Sequence, residues 1–340
     1  MPDMSRRMFF VIGAPRSGTT LLMRMLNMHD EICTRPEPHL MTPLAHLGYY
    51  AYPDKAPYDP FQSHQAARHF VSELPNGEED YLEALRAYAD RMYGTMLETT
   101  GRTYFLDKTP AYALVLPFLK KLYPDAVYVV LTRHPFAIFS SFAASFFDDD
   151  WEAAETFNPI VQRYVPAIAS FLADPPERCL HIRYEDLVAD PAHHLEAICQ
   201  LAEIPYREEM VNYGSKQVEG KGLGDPIGVA QHQRPTTQSV HKWARNVAGN
   251  PARLAQLENM VRHIDDRDLE RFGTSRQALF SPLAEVSPDH QATVAKFRRK
   301  WDRYAIERRA LLMLRRNIHD NMLGSILRKV RFTCDVLLRE

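Results

Sequence analysis

The sequence predicts an α/β fold of three layers, in which a mainly parallel central sheet lies between two layers of helices. Two apolar runs, at residues 9–12 and 127–131, each lead through a short turn into a segment with the spacing of a helix. Strands that are apolar throughout and alternate with helices are typical of parallel sheets buried on both faces. Shorter runs at residues 104–106 and 178–183 predict two further strands.

Helices are predicted between and after these strands. The clearest is residues 80–98, where apolar and aromatic residues have helical spacing and predict a stripe that faces the core: Tyr81, Leu82, Leu85, Tyr88, Met92 and Met96. Others are predicted at residues 111–123, 156–173 and 191–202.

The composition indicates an ordinary globular protein. Of 340 residues, 45% are hydrophobic and 25% charged, and the net charge of −2 gives no reason to expect nucleic acid. Four cysteines, Cys33, Cys179, Cys199 and Cys334, are far apart and form no C-x-x-C pair, so neither a zinc site nor a disulfide framework is predicted. No secretion signal or membrane span is expected, because no long apolar run occurs. Nothing in the sequence predicts the oligomeric state.

The turn after the first strand has the residues of an anion-binding loop. Gly13 and Gly18 stand at the G-x-x-x-x-G spacing of a P-loop, with Thr19 and Thr20 where Lys-Ser/Thr is usual. Such a turn aims the N–H groups of a helix N-terminus at a phosphate or sulfate. The sequence therefore predicts a P-loop-like fold with an anion cradle.

A magnesium–triphosphate site is poorly supported. Thr19 replaces the P-loop lysine, the cation has moved into the turn as Arg16, and the strand at 127–131 runs into Thr132-Arg133 rather than an aspartate. A terminal phosphate or sulfate beside Arg16, with no metal, is the better prediction. A P-loop-type nucleotide kinase and a non-catalytic nucleotide-binding module stay open as alternatives.

The segment GAPRSGTTLLMRML closely resembles the 5′-phosphosulfate-binding loop of sulfotransferases that use 3′-phosphoadenosine 5′-phosphosulfate (PAPS). Its Pro-Arg-Ser-Gly-Thr-Thr-Leu form is most similar to the tyrosylprotein and bacterial branches. The resemblance spans about residues 8–245. It implies transfer of a sulfuryl group from PAPS to a hydroxyl of a small-molecule, sugar or carrier-bound acceptor, leaving adenosine 3′,5′-bisphosphate. The loop residues implied to bind PAPS are Arg16, Ser17, Gly18, Thr19 and Thr20. Without the anchor of Golgi members, a cytoplasmic, bacterial enzyme is expected.

The resemblance also implies the catalytic residues, with Arg16 among them. The family's catalytic glutamate falls on Glu37, between two prolines that exclude helix, and an acceptor hydroxyl needs such a base. His39 is the alternative base, and a surface carboxylate is the other interpretation of Glu37. Lys108, at the end of the 104–106 strand, matches the lysine that stabilises the leaving phosphate. Cytosolic members place a histidine where this chain has Pro110, which favours a base elsewhere.

Further residues match the nucleotide site of the family. Arg133 and Ser141 match the 3′-phosphate site, where a guanidinium can bind two phosphate oxygens; a helix-cap arginine and a surface serine are the alternative. Tyr184 resembles the adenine contact, or is a core tyrosine. Lys242 and Trp243 resemble late phosphate or adenine contacts.

Three regions have less specific patterns. Aromatic and proline-rich residues 41–80, and glycine-rich residues 214–237 with His232, Arg234 and Thr237, are predicted to shape the acceptor pocket, although packing would explain the first equally well. Three adjacent aspartates, 148–150, predict a solvated loop near the acceptor entrance rather than a metal site.

Two units are predicted, a sulfotransferase domain at residues 1–290 and a basic helical extension at 291–340 packed on it. From Lys296 onward there are 13 Lys/Arg against 5 Asp/Glu. The alternative for this extension is a contact with acidic lipid or a carrier protein.

Overall fold

In the part of the chain that the structure describes, five strands form one sheet in which every neighbouring pair is parallel. The computed structural model describes residues 3–50, 60–215, 232–286 and 330. The strands are β1 (Met8–Ile12), β2 (Ile32–Thr34), β3 (Tyr104–Asp107), β4 (Val127–Thr132) and β5 (Cys179–Arg183), in the order β2-β3-β1-β4-β5. The predicted α/β class and parallel sheet are therefore confirmed.

The central strand β1 explains why the sheet needs two helical layers. Phe9 on β1 lies opposite Leu106 of β3 and Val127 of β4. Alternate residues of β1 point to opposite faces, so Phe10 and Ile12 join one apolar cluster, and Phe9 and Val11 join the other. All of β1 is buried. A strand apolar on both faces is stable only when both faces are covered.

The described helices form these two layers. They are α1 (Thr19–Leu26), α2 (Met41–Ala45), α3 (Pro60–Ser72), α4 (Glu78–Thr100), α5 (Leu116–Leu122), α6 (Pro135–Phe146), α7 (Trp151–Phe157), α8 (Ile160–Ala173), α9 (Tyr184–Ala189), α10 (Pro191–Ala202), α11 (Lys242–Val247), α12 (Pro251–Val261), α13 (Asp266–Arg271) and α14 (Ser281–Ala284). Helices α1, α9 and α10 contribute side chains to the core on one face. The other face is covered mainly by α4 to α8 and α11 to α13. In α4, Leu82 and Leu85 are buried as predicted, but Tyr88 and Met92 are exposed, so the predicted core stripe is narrower than its spacing indicates.

Several predicted boundaries are corrected. The segment after α1 contains β2, which pairs with β3 at the sheet edge and is too short to give a pattern. Residues 111–123 are a 3₁₀ turn, Pro110–Leu114, followed by α5. Residues 156–173 belong to two helices, since Pro159 is the N-cap residue of α8. Proline cannot donate a backbone hydrogen bond, so it favours a helix start over a helix interior.

The three adjacent aspartates lie in the turn between α6 and α7, where Asp148 and Asp150 are exposed, as predicted for a solvated loop, and Asp149 is partly buried. The Asp150 carboxylate accepts a hydrogen bond from the backbone N–H of Ala153 at 2.9 Å and caps α7. The Asp149 carboxylate accepts one from Trp151 Nε1 at 2.9 Å and pairs with Arg253. Arg253 is 104 residues further on in the sequence, so no local pattern could predict this ion pair.

Part of the aromatic segment packs against the core. The Tyr50 ring lies 5.0 Å from that of Phe118 and 6.2 Å from that of Tyr81, measured between centroids. This supports the packing interpretation for Tyr50. Residues 51–59 and 216–231, and the predicted extension at 291–340 apart from Val330, lie outside the described residues. Among the described helices, none has the length and apolar character needed to cross a membrane.

Candidate active site

The carboxyl ends of the strands β1 to β5 meet at one edge of the sheet. The candidate residues follow these strand ends directly or within a turn or helix, except for the late ones at 232–243. The connection after β1 leaves toward β2, whereas that after β4 leaves toward β5. Ligands in open α/β sheets bind where the direction of connection reverses. The crevice between β1 and β4 is therefore the expected site.

A cavity of about 580 Å³ lies at this crevice. The predicted nucleotide-site residues that line it are Arg16, Gly18, Thr19, Thr20, Arg133, Ser141, Tyr184, Lys242 and Trp243. His232 and Arg234 line it as well. Ser17 does not; it is fully buried, and its hydroxyl donates to the carbonyl of Ala14 at 2.7 Å. Ser17 thus holds the shape of the turn. Thr237 begins a 3₁₀ turn beside the cavity lining.

The turn of residues 13–18 is tight because its glycines allow close approach. A Cβ atom on Gly13 would lie 2.6 Å from the carbonyl oxygen of Leu131. Gly18 has φ 95 and is the N-cap residue of α1. Since glycine has no side chain to cap the helix, the first N–H groups of α1 are left for a ligand.

Arg16 joins the two predicted phosphate positions. Its Nε donates to Ser141 Oγ at 3.2 Å, and its carbonyl oxygen accepts from Arg133 Nη1 at 3.0 Å. Arg16 has φ 71, in the left-handed region that non-glycine residues rarely adopt. The cradle and the Arg133–Ser141 pair are therefore parts of one connected wall.

Tyr184 is both a core residue and a cavity residue. It is 7% exposed, and the Arg133 guanidinium lies 4.3 Å from its ring centroid. Its hydroxyl is 2.7 Å from Ser239 Oγ, and Arg133 Nη2 donates to the Ser239 carbonyl at 3.2 Å. Ser239 begins the segment 239–243 in which the resemblance assigned roles only to Lys242 and Trp243. It ties that segment to β4 and β5.

Trp243 is chiefly a core residue. It is 2% exposed and stacks on the His134 ring, with centroids 4.5 Å apart and planes 24° apart. Burial, with a smaller effect of nearby Arg183 and Arg133, lowers the pKa of His134 to about 3, from an ordinary value of 6.5. The folded protein therefore keeps His134 neutral.

This pKa predicts a loss of stability in acid. The unfolded chain binds a proton at His134 as the pH falls below 6.5, whereas the folded chain does not until about pH 3. The free energy of unfolding should fall by about 2 kcal/mol from this group alone between pH 7.5 and pH 5. His134→Phe, which keeps an aromatic ring against Trp243, should remove that part of the loss in urea titrations at the two pH values. His69→Phe, at an exposed site, is the control; equal pH dependence in both variants would contradict the assignment.

A second cluster lies beside the cavity. Lys108 is 1% exposed, and its Nζ lies 2.5 Å from Glu37 Oε1 and 3.3 Å from Thr20 Oγ1. His39 Nε2 is 3.8 Å from Glu37 Oε2. Thr20 thus connects Lys108 to the cradle. The structure brings Glu37, His39 and Lys108 together although they come from two separate strand ends.

The backbone of this cluster is strained. Glu37 has φ 29 and His39 has φ 55, both on the left-handed side. Non-glycine residues in sparsely populated backbone regions persist only where surrounding contacts hold them, and they are concentrated at functional sites. Asp107, which precedes Lys108, was missed from the sequence; its carboxylate accepts hydrogen bonds from the hydroxyls of Thr109 and Tyr112. The available signal was a charged residue at the end of an otherwise apolar strand.

The sheet order and the glycine turn after β1 place the chain in the P-loop-like class of α/β proteins. The model of the sulfotransferase family matches residues 9–208. The chain belongs to this family.

Curated relatives support the same assignment. Nodulation protein NoeE of Sinorhizobium fredii is 30% identical over 224 residues, which cover 65% of this chain and 51% of that protein. Protein-tyrosine sulfotransferase A of Caenorhabditis elegans is 24% identical over 229 residues, or 63% of this chain and 54% of that one. The chain thus spans about half the length of these relatives.

Solved structures share the fold. The sulfotransferase domain of the Synechococcus PCC 7002 olefin synthase matches with a TM-score of 0.50 and 24% identity, covering 76% of this chain and 94% of that domain.

Proposed function

We propose that this protein transfers a sulfuryl group from PAPS to an acceptor hydroxyl. One observation carries the proposal. The glycine turn with Arg16, and Arg133 with Ser141, line the same cavity. Thr20, which also lines it, is hydrogen-bonded to Lys108, and Lys108 forms an ion pair with Glu37.

The cavity suits a nucleotide that is anionic at two positions. The N–H groups at the start of α1 and Arg16 hold the 5′-phosphosulfate. Arg133 and Ser141 hold the 3′-phosphate, since a guanidinium and a hydroxyl can donate to separate oxygens of one phosphate. Tyr184 offers an aromatic ring for the adenine, and Lys242 adds positive charge to the cavity lining. A volume of about 580 Å³ lies within the range of small-molecule sites.

The Lys108–Glu37 pair supplies the chemistry. During transfer the bond between sulfur and the phosphate oxygen breaks, the bond between sulfur and the acceptor oxygen forms, and the acceptor proton passes to Glu37. Lys108 stabilises the negative charge that develops on the leaving phosphate. By analogy with phosphoryl transfer, positioning and charge neutralisation carry most of the rate enhancement. His39 is the second candidate for the base.

The acceptor is proposed to be a hydroxyl of a small molecule, a sugar or a carrier-bound chain, in the cytoplasm of a bacterium. Two observations support a hydroxyl. A carboxylate base beside the sulfuryl position suits an O–H donor. The matched protein-tyrosine sulfotransferase is named for a substrate that carries a phenolic hydroxyl.

The donor site predicts a clear effect of Gly18→Ala. A Cβ atom there would lie 2.7 Å from Tyr184 Cε2, on a residue with φ +95. We expect the affinity for adenosine 3′,5′-bisphosphate to fall by at least about tenfold, because a displaced ring or turn disrupts several contacts at once. Calorimetry measures this affinity. Gly101→Ala is the control, because Gly101 also has positive φ but has no described atom within 4 Å of the added carbon; an equal loss in both would contradict the prediction.

Two measurements test the proposed function. Equilibrium binding should be tighter for PAPS and adenosine 3′,5′-bisphosphate than for ATP with magnesium; the opposite order would favour a P-loop-type kinase. Radiolabelled PAPS incubated with the protein and a cell extract should yield a labelled product. Tight PAPS binding without any transfer would favour a non-catalytic nucleotide-binding module.

A further inference from the structure

A buried carboxylate lies directly behind the Lys108–Glu37 pair. Asp107, the last residue of β3, is 0% exposed. Its Oδ2 accepts hydrogen bonds from the hydroxyls of Tyr93 at 2.6 Å and Tyr112 at 3.0 Å, and its Oδ1 accepts one from Thr109 at 2.9 Å. Burial raises the pKa of Asp107, and these three hydroxyls oppose that rise. Because the buried Asp107 carboxylate accepts three hydrogen bonds, its position in the fold is well defined.

Two of the three hydroxyls also accept hydrogen bonds from the backbone of the segment that carries Glu37. The Tyr112 hydroxyl accepts from the backbone N–H of Met41 at 3.0 Å, and Thr109 Oγ1 accepts from that of His39 at a longer 3.5 Å. A hydroxyl has one proton, and a backbone N–H can only donate. Each hydroxyl therefore donates its proton to Asp107. Both hydrogen-bond chains thus run from a donating backbone N–H of the 37–41 segment, through a hydroxyl, to the accepting carboxylate.

These bonds act where the backbone is strained. Glu37 and His39 both have positive φ, and such conformations are maintained by fixed contacts around them. The two anchored N–H groups belong to residues two and four positions after Glu37. Asp107 is also covalently joined to Lys108, whose Nζ is 2.5 Å from Glu37 Oε1. One carboxylate is thus connected to both members of the pair.

We propose that Asp107 is a positioning residue, which holds the 37–41 segment against Lys108 through the hydroxyls of Tyr112 and Thr109. Its contribution to sulfuryl transfer rests on the proposed function of Glu37 and Lys108. Asp107 itself touches neither the donor nor the acceptor.

The test compares two tyrosines that share one acceptor atom. Asp107→Asn changes all three bonds at once, so Tyr112→Phe and Tyr93→Phe give the sharper comparison. Each removes one hydroxyl from Asp107 Oδ2 and leaves a buried ring, but only the Tyr112 hydroxyl also holds the segment. Hydrogen exchange of the Met41 amide should be about tenfold faster in Tyr112→Phe, as expected for losing one hydrogen bond, and near the wild-type rate in Tyr93→Phe.

Activity provides the second readout. Transfer of radiolabelled sulfate from PAPS to acceptors in the extract should fall about tenfold in Tyr112→Phe at unchanged affinity for adenosine 3′,5′-bisphosphate, and little in Tyr93→Phe. Thr109→Ser should keep activity that Thr109→Val loses.

Equal effects of the two tyrosine variants on Met41 exchange would overturn the positioning role, and so would equal effects on transfer when the wild-type protein is active. Faster Met41 exchange in Tyr112→Phe alone, together with no transfer by the wild-type protein, would uphold the anchoring and refute the proposed function.

Discussion

Replacing Lys108 by alanine is expected to lower the rate of sulfuryl transfer by about 10²- to 10³-fold, the usual cost of losing one electrostatic donor to a transition state. Binding of PAPS itself should change little, because Lys108 is not among the described residues that line the cavity and is linked to it through Thr20. Charge on the leaving phosphate develops during transfer and is small before it, so the loss falls on the rate rather than on affinity.

The experiment needs controls for the buried position. Lys108 is 1% exposed, so alanine would leave a void that lowers stability. Lys108→Met keeps most of the volume and should show the same loss of rate. Lys120→Ala removes a lysine whose Nζ lies 2.6 Å from Asp174 Oδ2 in a partly exposed ion pair, and should keep full activity. Transfer rates measure the catalytic effect, calorimetry measures the affinity for the nucleotide, and thermal unfolding measures any loss of stability. Full activity in both Lys108 variants would remove this residue from the mechanism.

Glu37→Gln is expected to lower transfer by about 10²- to 10⁴-fold, the range over which general base catalysis contributes. Glutamine keeps an oxygen that can accept from Lys108 Nζ, so the local geometry is largely retained while the base is lost. The rate should be measured across pH with radiolabelled PAPS. His39→Gln is the matched variant, since His39 Nε2 is 3.8 Å from Glu37 Oε2.

The two variants separate the candidate bases. A small effect of His39→Gln beside a large one of Glu37→Gln supports Glu37. If Glu37→Gln instead kept the wild-type rate and pH profile, and His39→Gln lost them, the base would be reassigned to His39.

The sheet could be predicted where it is buried on both faces. Strands β1 and β4 have runs of apolar side chains because helices cover them on each side. The edge strand β2 has three residues, and its pairing with β3 depends on a chain segment about 70 residues away. No local pattern encodes such a pairing. Helix boundaries shifted where proline started a helix.

The parts of the candidate site that lie close together in sequence could be predicted, and the parts that come from distant segments could not. The glycine turn and Arg16 belong to one short motif. Glu37 and Lys108 are 71 residues apart, and only the family resemblance implied that they meet. The role of Asp107 could not be predicted because it depends on hydrogen bonds with Tyr93 and Tyr112 and on the 37–41 segment, and these come together only in the folded protein. The ion pair of Asp149 with Arg253 could not be predicted for the same reason, since Arg253 is remote in sequence.

Arg16, Glu37 and His39 share a left-handed backbone, although none is a glycine. Each such residue costs the fold about 1 kcal/mol or more. Variants with glycine at these positions would relieve that cost and loosen the turn or segment that presents the side chain. Directed selection of this protein for heat tolerance would therefore favour changes at these three positions, whereas selection for the proposed sulfuryl transfer would reject them.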